Sequence, residues 1–262
     1  MRSLLPSSEP ELDEVGLEQW YAVSEANHIR ANFVATLDGG VEIGSRSAPL
    51  AGEGDHRAFQ ALRCLADVVL VGAGTVRAEN YGPARLSADA QHRRVNRGQS
   101  RVPPIAVITR SAALDPGSRL FGDEGGPKPL VLTASAAPSE HLQALARVAE
   151  VVVCGDDAVD VGTAIQALAE RGLAHVLCEG GPTVLGQLAT QGLLDELCLT
   201  HSPLLAGPGH HLLSAGGRVD TGIQQQRWPV RFHATRVLWD DGMLLVRYAA
   251  ATPNTDRSWD GP

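Results

Sequence analysis

Short apolar segments alternate along this chain with segments whose apolar residues recur at helical spacing, and this alternation most constrains the fold. It favours a mainly parallel sheet with helices on both faces, because each crossover helix packs back onto the sheet. Predicted strands are Ile29–Thr36, Val68–Val71, Ile105–Ile108, Leu130–Leu132, Val151–Cys154, His175–Cys178 and Glu196–Thr200. Predicted helices follow Asp55 and span Ser139–Val148, Val161–Arg171 and Thr183–Gln191. The sequence therefore predicts an α/β fold.

The last two apolar runs differ from this pattern. Phe232–Leu238 and Met243–Tyr248 flank Asp240-Asp241-Gly242, which is a turn sequence typical of a tight hairpin. The sheet is therefore expected to end in an antiparallel hairpin. We expect Met243–Tyr248 to be an edge strand, and because both of its faces are apolar we expect it to be covered, either by a second subunit in a homodimer or by a helix of the same chain.

The flanking and connecting segments suggest a simple domain organisation. We divide the chain of 262 residues into a polar leader (1–27), one domain (28–250) and a loose tail (251–262). Residues 81–104 are polar and basic and show no periodicity, which predicts a long exposed loop. The leader has no basic stretch followed by an apolar one, so we do not interpret it as a signal peptide.

Charge and composition exclude several classes of function. The net charge is −8 and aromatic residues make up 4% of the chain, so a surface for nucleic acid or for anionic membranes is not expected. No apolar run is long enough to span a bilayer. The four cysteines lie far apart and no histidine pair has metal-ligand spacing, so we expect no metal site and a cytoplasmic protein with reduced, buried thiols.

The segment Glu179-Gly180-Gly181-Pro182-Thr183 is the most informative motif. It follows a buried strand, and Pro182 stands at the preferred first position of a helix. Glycines allow a ligand close to the backbone, and a helix start offers free N–H groups to phosphate. A tight turn alone would account for one glycine and the proline, but it gives no reason for Glu179.

A second strand ends in Gly72-Ala73-Gly74-Thr75. This segment is superficially similar to the G-x-G-x-x-G fingerprint, but Arg77 replaces the third glycine. No acid follows a second strand at the usual distance of roughly 20 residues, so a Rossmann dehydrogenase is a poor fit. Two strand-to-helix turns in one sheet nevertheless predict a nucleotide-binding crevice at the carboxyl ends of the strands.

Two further strand ends carry candidate residues, each with an ordinary alternative. Asp38, before Gly39, could orient a substrate or relay a proton, although an aspartate before glycine is usually a turn residue. Thr109 and Arg110 could hold a 2′-phosphate, although a lone arginine is more often a surface residue.

Taken together, these segments resemble the pyrimidine reductase family of bacterial riboflavin biosynthesis, which has the dihydrofolate reductase-like fold. The matching stretches are Asn32–Gly39, Leu62–Tyr81, Ile105–Arg110 and Leu177–Gly207. The resemblance implies an NADPH-dependent, homodimeric reductase of 5-amino-6-(5-phosphoribosylamino)uracil or a related phosphoribosylaminopyrimidine. It implies cofactor contacts from Gly72, Thr75, Glu79, Thr109, Arg110, Gly180, Gly181, Pro182, Thr183, Val184 and Leu185, substrate contacts from Ser47, Arg63 and Arg85, and catalytic roles for Asp38 and Glu179.

The chain also departs from the family pattern. It has neither the H-x-E nor the P-C-x-x-C motif of the zinc deaminase domain found in bifunctional members, which predicts a stand-alone reductase. His201 falls where an apolar residue is expected, and His92–Arg97 is a basic insert. A dihydrofolate or pterin reductase of the same fold and a non-catalytic NADP-binding module remain the alternatives.

Overall fold

One ten-stranded sheet organises the computed structural model, which describes residues 1–5, 11–122, 126–209, 211–213 and 229–251. The strand order is β1-β9-β10-β8-β2-β7-β3-β4-β5-β6. The strands are β1 (Arg2–Leu5), β2 (His28–Thr36), β3 (Val68–Gly72), β4 (Ile105–Thr109), β5 (Leu130–Thr133), β6 (Glu150–Val153), β7 (His175–Gly180), β8 (Glu196–Ser202), β9 (Phe232–Asp240) and β10 (Met243–Ala250). The seven strands from β8 to β6 in this order run parallel, and β1, β9 and β10 join antiparallel.

Helices cover both faces of the sheet. They are α1 (Glu14–Tyr21), α2 (Glu53–Leu65), α3 (Ala73–Ala78), α4 (Ala88–Asn96), α5 (Ser139–Ala146), α6 (Val161–Ala169) and α7 (Pro182–Thr190). Leu17 of α1 and Leu62 of α2 belong to the core on one face, and Leu168 of α6 and Leu188 of α7 belong to the core on the other. The predicted α/β fold, with a mainly parallel central sheet, helices on both faces and a C-terminal antiparallel hairpin, is confirmed.

The predicted hairpin is confirmed, but its place in the sheet is not what the sequence suggested. Asp241 and Gly242 form a two-residue turn in which both φ angles are positive, +43° and +81°. β10 lies between β8 and β9, and β9 in turn pairs with β1. The expectation that β10 needs a partner for an open edge is therefore wrong, because its backbone is paired on both sides.

The prediction of an exposed loop over 81–104 is also wrong in part, because α4 occupies its centre. This helix shows no apolar stripe because it buries Ala90 and the guanidinium of Arg94. Arg94 donates to the carbonyl oxygens of Arg63, Cys64 and Ala66, at the end of α2. Burial lowers the pKa of Arg94 to about 10. The basic insert thus caps the carbonyl groups at the C-terminal end of α2.

Part of the predicted leader packs into the same core as the rest of the chain. Leu17, Trp20 and Tyr21 of α1 are buried, and α1 packs against α2. The loose tail falls almost entirely on 252–262, outside the described residues, and the three-part division of the chain stays a prediction. Among the described helices, none has the length and apolarity to cross a membrane.

Candidate active site

A cavity of about 580 Å³ lies at the carboxyl edge of the sheet, where β3 and β7 end side by side. Its walls come from the end of β3, the start of α3, the β7–α7 turn, β2 and the first two turns of α2. The carboxyl ends of parallel neighbours meet at one edge, so the two glycine-containing turns of the sequence face each other there. Most of the predicted site residues line this cavity, namely Ser47, Gly72, Thr75, Glu79, Glu179, Gly180, Gly181, Pro182, Thr183 and Val184.

Glycines form one wall, where neighbouring side chains leave little space for a Cβ. A Cβ at Gly181 would lie 2.9 Å from Thr75 Oγ1, and one at Gly72 would lie 3.3 Å from Val184 Cγ2. Gly180 has a φ of +133°, which other residues rarely adopt, and its peptide bond to Gly181 is cis. No side chain caps α7, whose first residue Pro182 has no N–H, and the N–H of Val184 donates to the carbonyl oxygen of Gly181. We name this wall the glycine cradle. It consists of Gly72, Thr75, Gly180, Gly181 and the start of α7.

A largely buried ion pair stands beside the cradle. Arg63 Nε and Nη2 donate to Glu179 Oε1 and Oε2, both at 2.7 Å, in a bidentate arrangement. Tyr81 Oη also donates to Glu179 Oε2, and Arg63 Nη2 lies 2.8 Å from that hydroxyl. The guanidinium of Arg63 lies 4.1 Å from the ring centre of Phe59. Arg63, Tyr81 and Glu179 form one unit, which we name the Arg63 cluster.

Glu79 connects the end of α3 to the loop after β2. Its Oε1 accepts hydrogen bonds from the backbone N–H and the hydroxyl of Ser47, at 2.8 and 3.0 Å. The two residues are 32 positions apart, yet both were predicted as site residues and both line the cavity. This contact fixes the loop that closes one side of the cavity.

Asp38 is exposed and lies outside the cavity lining. Its carboxylate accepts hydrogen bonds from the hydroxyl of Thr36 and from the N–H groups of Ala206 (3.1 Å) and Gly207 (2.8 Å). These hydrogen bonds hold the pKa of Asp38 well below its usual value, and the bond from Thr36 has the largest effect. The contacts describe an anchor for the loop after β8, and a catalytic role for Asp38 stays a prediction.

The remaining predicted residues also lie outside the cavity lining. Arg85 lines a neighbouring groove of about 480 Å³ between α1, α2 and α4, and His56 borders both spaces. Thr109 is buried and Arg110 exposed at the end of β4, one strand beyond the cradle. Leu185 is buried in the core under α7.

The sequence reasoning missed two residues, one that lines the cavity and one beside it. Asp55 lines the cavity from the first turn of α2, and Tyr81 completes the Arg63 cluster. The sequence did contain a signal for Asp55. Asp55, Phe59 and Arg63 follow one another at intervals of four residues, which places all three on one face of a helix. Among the described residues no group of histidines, cysteines and carboxylates could hold a metal ion, and the four cysteines are buried.

Comparison with known proteins places these features in a family. The model of the RibD C-terminal domain matches residues 27–236. This chain belongs to the RibD C-terminal domain family. The resemblance inferred from the sequence motifs is thereby confirmed.

Relatives in this family cover most of the chain. A 2,5-diamino-6-ribosylamino-4(3H)-pyrimidinone 5′-phosphate reductase of Methanothermobacter thermautotrophicus is 32% identical over 84% of this chain and 97% of its own length. A relative of the same name from Archaeoglobus fulgidus is 29% identical over 69% of this chain and 82% of its length. The crystal structure of a pyrimidine reductase-like protein from Corynebacterium diphtheriae is 28% identical, with a TM-score of 0.78, over 90% of this chain and 99% of that one.

Proposed function

We propose that this chain transfers a hydride from NADPH to a phosphoribosylaminopyrimidine of riboflavin biosynthesis. The observation that carries the proposal is that the glycine cradle and Glu179, the carboxylate that binds Arg63, line one cavity. The names of the family relatives, pyrimidinone 5′-phosphate reductases, support the same reaction. In that reaction the C1′=N bond of the open-chain imine takes a hydride at C1′ and a proton at nitrogen, which gives the ribitylamino group.

The cradle fits a dinucleotide. Gly72, Gly180 and Gly181 line the cavity without side chains, so a ligand can lie close to their backbone, and the uncapped start of α7 suits a pyrophosphate. When bound, NADPH supplies the hydride, and the protein contributes binding, orientation and electrostatics. Ser47 and Glu79 form another part of the cavity wall, and Glu179, which lines the cavity, fixes the Arg63 guanidinium through two hydrogen bonds.

The function is tested by following nicotinamide absorbance with two substrates, 2,5-diamino-6-ribosylamino-4(3H)-pyrimidinone 5′-phosphate and 5-amino-6-(5-phosphoribosylamino)uracil. We expect NADPH oxidation with at least one of them and none with dihydrofolate. Turnover of dihydrofolate alone would move the assignment to a pterin reductase. Calorimetric binding of NADPH without turnover of any of the three would identify a non-catalytic module.

The cradle itself is tested by Gly181→Ala. The added methyl group would lie 2.9 Å from Thr75 Oγ1 and would push the cradle apart, so we expect NADPH affinity to fall about tenfold or more by calorimetry. Gly186→Ala is the matched control, because its methyl group would lie at an ordinary distance of 3.8 Å from Leu213 Cδ2. Equal affinities for both variants would show that the cradle does not hold the cofactor.

The preference for NADPH over NADH is proposed to depend on Arg110 at the end of β4. A charge-assisted hydrogen bond to the 2′-phosphate contributes roughly 1.5–3 kcal/mol, which is about tenfold or more in affinity. Arg110→Ala should therefore weaken NADPH by that factor and leave NADH nearly unchanged in the same titration. If both cofactors weaken equally, Arg110 has a structural role instead.

We further propose that the protein is a homodimer and works in the cytoplasm. The support for a dimer is an apolar sheet face on β8, β9 and β10, opposite the face that α1 and α2 cover. On it Trp239 and Leu244 are 43% and 39% exposed, and Val237, Leu199 and Tyr248 are half-buried. A second copy packed on this face would bury it. The support for a cytoplasmic location is that all four cysteines are unpaired.

Sedimentation at low micromolar concentration tests the assembly, with a dimer mass expected for the wild type. Leu244→Glu places a charge at the centre of the proposed interface and should shift the mass to that of a monomer without unfolding the chain. Val153→Glu is the control, because Val153 is also an exposed apolar residue (53%, against 39% for Leu244) and lies on β6, an edge strand far from the proposed interface. A monomeric wild type would contradict the dimer.

A further inference from the structure

His201 is a polar residue in an apolar part of the sheet, and the proposed reaction gives it no task. It stands on β8, where the family pattern has an apolar residue, and it does not line the cavity. In the sheet register it lies opposite Leu244 of β10 on one side and Ala35 of β2 on the other. Residues that pair across neighbouring strands point to the same face, so His201 belongs to the apolar face proposed above as the dimer interface.

The neighbours of His201 on this face are apolar. Leu244 lies beside it and is 39% exposed, and Trp239 lies beside Leu244 on β9 and is 43% exposed. The next row along the same strands is also apolar, and it consists of Leu199, Val246 and Val237. In the single chain His201 is half-buried. A second copy packed on the face would therefore cover His201 together with its apolar neighbours.

The side chain in contact with His201 cannot balance a positive charge. Tyr248 Oη lies 3.4 Å from His201 Nε2. Burial raises the pKa of Tyr248, so its hydroxyl keeps its proton at neutral pH and carries no charge. A protonated imidazole carries a hydrogen on both ring nitrogens, so its Nε2–H would meet a neutral oxygen. Tyr248 therefore gives His201 a polar neighbour without a counter-charge.

The charged side chains of the surrounding strands do not reach His201 either. Burial alone lowers the pKa of His201, and no charged group contributes to that shift. The other ionisable residues of β2, β8, β9 and β10 contact α1, Met1 or each other on the opposite face, or lie at the far end of β9. They are His28, Arg30, Glu196, His233, Arg236, Asp240 and Arg247.

Packing of a second copy on this face favours neutral His201. Removal of the remaining water around an imidazole that has no counter-charge lowers its pKa further. A group whose pKa is lower in the dimer than in the free subunit favours the dimer above the pKa of the subunit and opposes it below that pKa. Each dimer contains two copies of His201, so in the limit the dissociation constant rises about 100-fold for each pH unit.

We propose that the dimer requires His201 in its neutral form and that protonation of His201 separates the subunits. The inference rests on the homodimer of the proposed function. The overall charge predicts the opposite trend, because the chain carries −8 at pH 7 and loses negative charge on acidification, which weakens the repulsion between subunits. Dissociation on acidification would therefore identify a specific group rather than the net charge.

Sedimentation equilibrium at about pH 7.5 and about pH 5.0 tests the inference. These values lie on either side of the ordinary histidine pKa of about 6.5 and above the glutamate pKa of about 4.3. For the wild type we expect a dissociation constant about tenfold or more higher at the lower pH. His201→Leu introduces the apolar residue of the family pattern, and its dissociation constant should rise less than about twofold on acidification. His92→Leu is the matched control, because His92 is exposed on α4 and its loss should leave the wild-type response unchanged.

The outcomes separate this inference from the homodimer and from the reaction. A wild type that is monomeric at the higher pH would overturn both the homodimer and the role of His201, while turnover of the pyrimidine substrates is measured independently. A wild-type dimer with the same dissociation constant at both pH values overturns the role of His201 alone. The same holds for a His201→Leu dimer that still dissociates on acidification. The wild-type comparison decides even if the variant does not fold.

Discussion

Glu179→Gln is expected to lower kcat/KM by about 100-fold or more. The substitution removes the charge that holds Arg63 through two bonds of 2.7 Å, so the guanidinium and the hydroxyl of Tyr81 lose their fixed positions. Misplacement of a positioning group by about 1 Å can cost that factor in rate. Steady-state kinetics with the better pyrimidine substrate measures the loss.

A double-mutant cycle distinguishes positioning from a purely structural role. Glu179→Gln alone leaves a largely buried guanidinium without its counter-charge and should lower the melting temperature. Adding Arg63→Gln removes that charge, so the melting temperature should recover while kcat/KM does not. The exposed pair Arg171 and Glu150, joined at 2.8 Å, is the matched control, and its glutamine variants should change neither quantity much. Recovery of activity in the double variant would contradict the assignment.

Glu196→Gln is expected to reduce the free energy of unfolding by about 3–5 kcal/mol. Glu196 is buried at the start of β8, where it accepts two bonds of 2.8 Å from Arg247 and one of 3.1 Å from Arg30. Glutamine would leave two buried guanidinium groups without a carboxylate. Urea unfolding measures the difference. Glu11→Gln, at a site 80% exposed, is the control and should change the free energy by less than about 1 kcal/mol.

The same site predicts how stability depends on pH. Burial by itself would raise the pKa of Glu196, but the hydrogen bonds from His28 and Arg247 and the charges of Arg30 and Arg247 outweigh it and hold the pKa well below its usual value. The stabilisation that ionised Glu196 gives to the folded state is therefore complete above the unfolded-state pKa of about 4.3. It is lost as the pH falls toward the lower pKa of Glu196 in the folded state. Glu196→Gln should flatten the acid limb of the stability curve. An unchanged acid limb would show that the carboxylate is not the group that titrates.

The sequence predicts the parallel sheet and the cradle well, because both depend on local patterns. A buried strand ending in Glu179-Gly180-Gly181-Pro182 carries its own signals, and its neighbour β3 carries a similar turn. The contacts between distant segments carry no such signal. Arg63 and Glu179 are 116 positions apart, and nothing near either residue indicates the other.

The predictions that were wrong or missing have physical reasons of the same kind. Helix α4 lacks an apolar stripe because its main buried group is Arg94, so periodicity could not reveal it. Asp55 has the sequence context of an ordinary first-turn acid, and only its contact with Thr200, 145 positions away, distinguishes it. The edge position predicted for β10 was wrong because strand order depends on β1 and β9, which the pattern of β10 does not contain.

The position of β2 in the sheet has a consequence for synthesis on the ribosome. Its two neighbours are β7 and β8, so the first strand partner of Ile29 is Val176, which follows it by 147 residues in the chain. At translation rates of 5–20 residues per second, that delay is roughly 7–30 s. During this interval β2 is an apolar segment without its strand partners, which exposes the growing chain to aggregation.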